Sequence, residues 1–402
     1  MKAFGKEEFT NVAYINFDGN PRMRQLFSLD YSIPRLLSGL EAESATEIKP
    51  GKTLIVFDEI QTNPLALTSL KYFYEEAPEH AIIAAGSLLG VSLQQGTGFP
   101  VGKVDTLDLY PMSFTEFLDA LGEHQLVEML NRRDWELITA FKSKYIDWLR
   151  NYCFVGGMPE AVAVFRERRS YAEVRHVQQR LIRDYERDFS KHAPKEIVSR
   201  LSLLWNSIPA QLAKENKKFF YGKVRLSARA KDFEIALQWL IGAGLIYKVE
   251  NVSKPNIPLS AYTESSFKLF TLDVGLLAAQ CQLDIKTILE GNAIFTEFKG
   301  ALSEQYVQQQ LRAECDIRPN YWASSSGNAE VDFLFQVGRE IIPMEVKAEE
   351  NLRAKSLKIY LQKFSPKISI RTSMSDYHKE SWILNLPLYA IGQIRAVGEY
   401  AQ

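Results

Sequence analysis

Thr53 to Gln61 reads TLIVFDEIQ, and this stretch decides the fold class. Leu54 to Phe57 are apolar with no polar residue at every second position. Such a strand is buried on both faces, as in a parallel sheet covered by helices on each side. Two acids, Asp58 and Glu59, follow at once where the strand should end. Working outward, VAYINF (Val12 to Phe17) and AIIAAGS (Ala81 to Ser87) are further strand-sized apolar runs, and Val104 to Leu109 is another strand candidate. A polar helical region up to Ala45 and a helix through Lys71 to Glu76 separate them. Short apolar strands alternating with helices predict an α/β fold with a parallel sheet.

The chain has 402 residues, 46% hydrophobic and 24% charged, with a formal net charge of -1. These fractions are those of globular chains and exclude wholesale disorder. No apolar run approaches the roughly 18 residues of a membrane helix. The opening MKAFGKEEF is charged and is no secretory leader. Near-zero net charge excludes nucleic-acid binding through global basicity and leaves room for a local patch. Cys153, Cys281 and Cys315 are far apart and odd in number, which predicts neither a disulfide framework nor a metal knuckle and fits a reducing cytoplasm. The five histidines are scattered without metal-ligand spacing.

Beyond Ser113 the pattern turns helical. SFTEFLDAL carries a Ser113–Glu116 capping box, GGMPEAV puts Pro159 at a helix start, and Tyr171 to Phe189 forms an amphipathic helix with Val174, Val177, Leu181 and Tyr185 on one stripe. ARAKDFEIALQWLIGAGL is a further helix, and LIYKVENV and SFKLFTLD are strands joined by KPNIPLSAY. Two helices and a two-stranded wing predict a winged helix. From about Phe295 the expected order is a helix (Lys299 to Ala313), three strands (Asn320 to Ala323, Val331 to Gln336, Ile341 to Lys347), a helix (Leu352 to Phe364) and more strands. The predicted domains are 1–112, 113–207, 208–285 and 286–402.

An apolar strand ending in Asp58-Glu59 has the form of a Walker B element. In that chemistry the Asp holds Mg²⁺ and the Glu polarises the water that attacks the γ-phosphate of ATP. The same two acids can also do no more than cap the next helix. The companion phosphate loop, G-x-x-x-x-G-K-[ST], does not occur. Gly51-Lys52-Thr53 lacks the glycine five positions earlier and runs into a strand rather than opening a helix, so it reads as turn residues.

The chain resembles the prokaryotic AAA-type ATPases that carry a C-terminal domain of unknown function. The resemblance rests on FGKEEFTNVAYINFD, PGKTLIVFDEIQ, IIAAGSLLG, LDLYPMSFTEFL, FVGGMPEAV, QLAKENKKFFYGKV, GLIYKVENVSKPNIPLSAY, FKLFTLDVGLL and EVDFLF…MEVKA, in unbroken order. It implies a P-loop-type core, here without its first strand and phosphate loop, followed by a helical lid, a winged helix and an α/β end. It implies ATP and Mg²⁺ as cofactors, Asp58 and Glu59 as the Walker B pair, and Ser87 in the sensor position. It places the phosphate loop upstream of FGKEEF, so the expected ATP binding and hydrolysis are impaired. The C-terminal module is similar to the PD-(D/E)xK nuclease core, a restriction-endonuclease-like fold, through Glu304, Asp332, Glu345 and Lys347. In that chemistry Asp332 and Glu345 bind Mg²⁺, Lys347 activates water and Glu304 supports the metal shell. A salt-bridge cluster in a retained fold is the alternative.

A last candidate is the basic run Lys214, Lys217, Lys218, Lys223, Arg225, Arg229 and Lys231, interleaved with Phe219, Phe220 and Tyr221. It fits DNA phosphates and bases, or a protein partner, or a solvated helix end before a buried strand. A protein client and an oligomer are compatible with all of these readings.

Overall fold

The computed structural model describes residues 1–86, 100–213, 217–285, 299–325, 327–348, 355–380 and 382–400, the last six of these without their side chains. They form two compact units, Met1–Leu109 with Gly242–Gly244, and Tyr110–Ile241 with Leu245–Gln402.

The first unit is a three-stranded parallel sheet in the order β1 (Asn11–Asn16), β2 (Thr53–Asp58), β3 (Ile82–Ala84). Among the described residues four helices accompany it: α1 (Lys2–Glu8), α2 (Pro21–Leu29), α3 (Ile33–Ser44) and α4 (Pro64–Glu76). β2 is central, and Thr53 to Phe57 are all buried, as its unbroken apolar run requires. The core on one sheet face gathers Ala13, Ile15, Phe17, Phe27, Ile55, Phe57 and Phe73. Phe17 meets Phe57 edge to face, with ring centres 5.2 Å apart, the geometry that aligns ring quadrupoles. Asn63 caps α4 through Ala66 N–H, with Pro64 at the first helical position. Val104 to Leu109 is not a strand: it is irregular, and Leu107 and Leu109 are 93% and 94% exposed. Among the described residues no strand pairs with it, and an unpaired segment has no ladder to fix it.

The second unit opens with helices α5 (Phe114–Ala120), α6 (His124–Arg132), α7 (Trp135–Ala140), α8 (Lys142–Val155), α9 (Pro159–Arg168) and α10 (Tyr171–His192). The Ser113–Glu116 capping box forms in full. On α10, Val174, Val177 and Phe189 are buried. Next come α11 (Val198–Leu212), the short α12 (Tyr221–Val224), α13 (Ala230–Gly242) and the hairpin β4 (Ile246–Val252) and β5 (Thr263–Thr271). The remainder is α14 (Val274–Gln280), α15 (Lys299–Ala313), β6 (Asn320–Ala323), β7 (Glu330–Val337), β8 (Glu340–Val346), α16 (Lys355–Phe364), β9 (Ser369–Ser373), β10 (His378–Lys379) and β11 (Ile383–Pro387).

The hairpin expected as a wing does more than turn back on itself. β4 pairs with β6 through Asn251 and Tyr321. A mixed eight-stranded sheet results, in the order β10-β11-β9-β8-β7-β6-β4-β5. Segments on either side of residue 285 therefore share one sheet. All six tryptophans of the chain lie in this second unit. Among the described residues no helix is long and apolar enough to cross a membrane.

Candidate functional sites

In the first unit, β2 delivers Asp58 to its carboxyl end, and Glu59 begins the turn beyond it. Both acids are half-buried, in contrast to the sealed strand before them. Tyr14 on β1 donates its hydroxyl to Asp58 Oδ2, and the backbone N–H of Glu59 donates to Asp58 Oδ1 at 3.1 Å. The hydrogen bond to Asp58, then burial, hold the Tyr14 phenol above its ordinary pKa. β1 and β2 run parallel with Tyr14 beside Val56, so Tyr14 stands two residues before Asp58 on the same sheet face.

Glu59 adopts the left-handed conformation, φ 54° and ψ 37°, at the N-cap of the single 3-10 turn Ile60–Thr62. This costs a non-glycine residue about 1–2 kcal/mol. The turn is closed by Thr62 Oγ1, which donates to Glu59 O at 2.8 Å, and by Gln61 Nε2, which donates to Glu59 Oε2 at 2.6 Å. Among the described residues no ion pair neutralises Asp58 or Glu59. Glu59→Gly removes the strain and should raise unfolding stability by about 0.5–1 kcal/mol, after the extra chain entropy of glycine is subtracted. A urea titration reads this, and a loss of stability would show that the Glu59 side chain contributes more than its backbone costs. Ser87, expected in the sensor position, lies outside the described residues.

In the second unit, Glu304 and Asp332 come together. Glu304 sits on α15 with its side chain almost wholly buried, and Asp332 sits on β7. Two ammonium groups meet Glu304: Lys217 Nζ pairs with Oε1, and Lys268 Nζ on β5 lies 3.4 Å from Oε2. Lys268 also lies 2.6 Å from Glu330 Oε1. Asp332 Oδ2 accepts the Val346 N–H at 2.8 Å. Burial first, then the neighbouring charge of Glu304, push the Asp332 carboxyl up to about 8. Burial pushes Glu304 the same way, but the charges of Lys217 and Lys268 prevail and hold it down. Burial and the charge of Glu304 thus favour the protonated form of Asp332, whereas the two ammonium groups favour the charged form of Glu304.

Glu345 and Lys347 form a second pair. They lie two residues apart and share a side, and Lys347 Nζ sits 2.6 Å from Glu345 Oε1. Glu345 Oε2 is buried with no hydrogen-bond partner, and the parallel register sets Glu345 beside Arg371 on β9. Among the described residues, no group of three or more His, Cys, Asp or Glu side chains is arranged to hold a metal ion. Magnesium, implied for this module by resemblance, does not fit the donor set: the carboxylates at its centre already face two ammonium groups.

The basic run is divided. Lys217 turns inward to Glu304, whereas Lys223, Arg225 and Arg229 are exposed, with Arg229 3.6 Å from Asp232. Lys218 is half-buried, and Lys214 lies outside the described residues. Phe219 is buried and stacks on Phe267, and Tyr221 packs between Phe219 and Phe233. Tyr14, Lys268 and Glu330 are absent from the sequence reading. Lys268 left one trace, a lone cation in a strand flanked by Phe267 and Leu269.

Comparison with known proteins gives the first unit a relation. Residues 1–118 match the family described as an AAA domain. This AAA domain match spans all of β1 to β3 and the Asp58–Glu59 turn. Two further segments match domains of unknown function, residues 146–287 (DUF8612) and residues 299–390 (DUF4143). Among solved structures, the Walker-type ATPase PABY2304 of Pyrococcus abyssi is similar at 12% identity, with a TM-score of 0.38, over 70% of this chain and 86% of that one. That score is below the level that shows a shared fold. A search of curated proteins found no match.

Proposed function

We propose that the first unit is the acid-bearing part of an ATP hydrolase that works on a protein or nucleic-acid client in the cytoplasm. Asp58 would hold Mg²⁺ and Glu59 would orient the attacking water. The observation that carries this reading is the pair itself, at the carboxyl end of a central parallel strand, with no cation partner among the described residues. In open α/β sheets that edge is where ligands bind. The AAA domain match over the same residues supports it. The donors fit magnesium: two hard carboxylates, one of them steadied by Tyr14 and by a backbone N–H. Bound Mg²⁺–ATP supplies the phosphoanhydride and the charge that steadies it. The chain's own share is narrower. Tyr14 orients Asp58, and the strained turn swings Glu59 off the strand end.

The glycine-rich loop that cradles β- and γ-phosphates is a separate part of such a site and does not occur in these residues, so the acids are tested in its company. The test is phosphate release by a chain that includes such a loop, compared with its Glu59→Gln variant. Removing a group that acts on the attacking water should lower turnover by about 10²-fold or more while ATP stays bound in equilibrium dialysis. Unchanged turnover in Glu59→Gln would sink the assignment.

A further inference from the structure

Lys217 to Lys231 reads KKFFYGKVRLSARAK, six cations with no acid among them. The root of this segment is fixed. Lys217 pairs with Glu304, the Phe219 N–H donates to Phe267 O on β5 at 2.8 Å, and the Phe220 N–H donates to Gln211 Oε1 on α11 at 2.7 Å. Tyr221 packs against Phe219, Phe233 and Phe267. Beyond this root the chain is open. From Gly222 to Lys231 every residue but Val224 and Ala228 is exposed, Lys223, Arg225, Arg229 and Lys231 included. Among the described residues Lys223, Arg225 and Lys231 have no ion pair, and Arg229 has a loose one, 3.6 Å from Asp232. The nearest acids in sequence, Asp232 and Glu234, are engaged: Asp232 by Arg229, and Glu234 by Gln238 Nε2 at 2.9 Å.

Unpaired cations on a fixed base suit an anion of high and regular charge density. They suit the centre of a protein interface poorly, since such centres are depleted of charge and anchored by aromatic rings. Here Phe219 is buried and Tyr221 is turned to packing, and Leu226 is the one large apolar side chain exposed between Lys223 and Lys231. Fixing the root before binding lowers the ordering cost of contact. We propose that Lys223, Arg225, Arg229 and Lys231 form a docking surface for duplex DNA, which they hold through its phosphates. The surface stands on residues of the second unit alone and does not depend on the ATPase reading.

The experiment titrates the full chain into a short, labelled DNA duplex of mixed sequence and reads fluorescence anisotropy. Four phosphate contacts give the logarithm of affinity a slope of about -3 to -4 against that of salt, so binding should weaken roughly 10²-fold between about 50 and 200 mM NaCl. Lys223→Ala with Arg225→Ala should lower affinity at least about 10-fold at the lowest salt and flatten the slope by about 2. Lys355→Ala with Lys358→Ala removes two exposed cations from α16 and should leave both readings unchanged. All four side chains are exposed, so the melting temperatures should match the parent. Should the Lys223–Arg225 variant fail to fold, Arg225→Gln alone should flatten the slope by about 1. Polyglutamate of equal total charge should compete poorly, because the duplex packs one charge per roughly 1.7 Å and has condensed counterions to release. The proposal is overturned by no binding at the lowest salt, by a slope and affinity that Lys223→Ala with Arg225→Ala leaves unchanged, or by an equal loss in the α16 variant. It is equally overturned by polyglutamate competing as well as DNA, which would make this a surface for an acidic protein segment.

Discussion

Asp273→Ala is expected to cost the second unit about 3–5 kcal/mol, enough to leave much of it unfolded at physiological temperature. Asp273 is fully buried and caps α14. Its two oxygens accept from Gly157 N at 2.7 Å, Leu276 N at 2.9 Å and Gln309 Nε2 at 3.0 Å. Truncation orphans all three donors in the interior, and each costs about 1–3 kcal/mol when no water replaces the acceptor. The fit around the carboxylate is tight. A Cβ on Gly156, which sits at φ 74°, would fall 2.1 Å from Asp273 Oδ1, and one on Gly157 would fall 2.1 Å from the carbonyl oxygen of Met112. Gly157→Ala must therefore push backbone against backbone and should destabilise by a similar amount. Asp273→Asn keeps one acceptor and should cost less than Asp273→Ala. Urea denaturation followed by tryptophan emission measures these differences, since Trp205, Trp239 and Trp322 are buried in this unit. An Asp273→Ala midpoint close to wild type would show that the three donors find other partners.

Phe57→Ala should have the largest effect in the first unit, about 3–5 kcal/mol. Phe57 is fully buried at the end of the central strand. Its ring meets Phe17, Phe27 and Phe73 edge to face, at 5.2, 6.0 and 6.4 Å between centres. Removing it leaves a void walled by three other rings, which a rigid sheet and two helices close only in part. Phe57→Leu fills more of that space and should cost less. Far-ultraviolet circular dichroism against denaturant reads the effect. A midpoint unmoved by Phe57→Ala would place the ring outside the core.

The parts legible in the sequence are those written by local rules. The unbroken apolar run of Thr53 to Phe57 announced a central strand, because only a strand covered on both faces spares every residue from water. Ser113 with Glu116, and Pro159 after Met158, marked helix starts that form as expected. What could not be read depends on contacts between distant positions. Tyr14 reaches Asp58 across 44 residues, Lys268 reaches Glu304 across 36, and Lys217 reaches it across 87. No periodicity encodes such meetings. Lys217 looked like part of a solvated basic run because its neighbours are basic, whereas its place is decided by a carboxylate on another helix. Val104 to Leu109 erred in the opposite direction. Its apolar residues, Val104, Leu107 and Leu109, do not keep to one face, and a strand also needs a neighbour for its backbone.

The placement of the tryptophans has a practical consequence. The first unit contributes tyrosines and phenylalanines but no indole, so the two units carry different natural labels by composition. Indole emission follows the second unit alone, while backbone dichroism follows both. Two denaturation curves recorded on one sample are thus curves of different objects. Their coincidence would mean that the units melt as one cooperative body, and their separation would give the free energy of each.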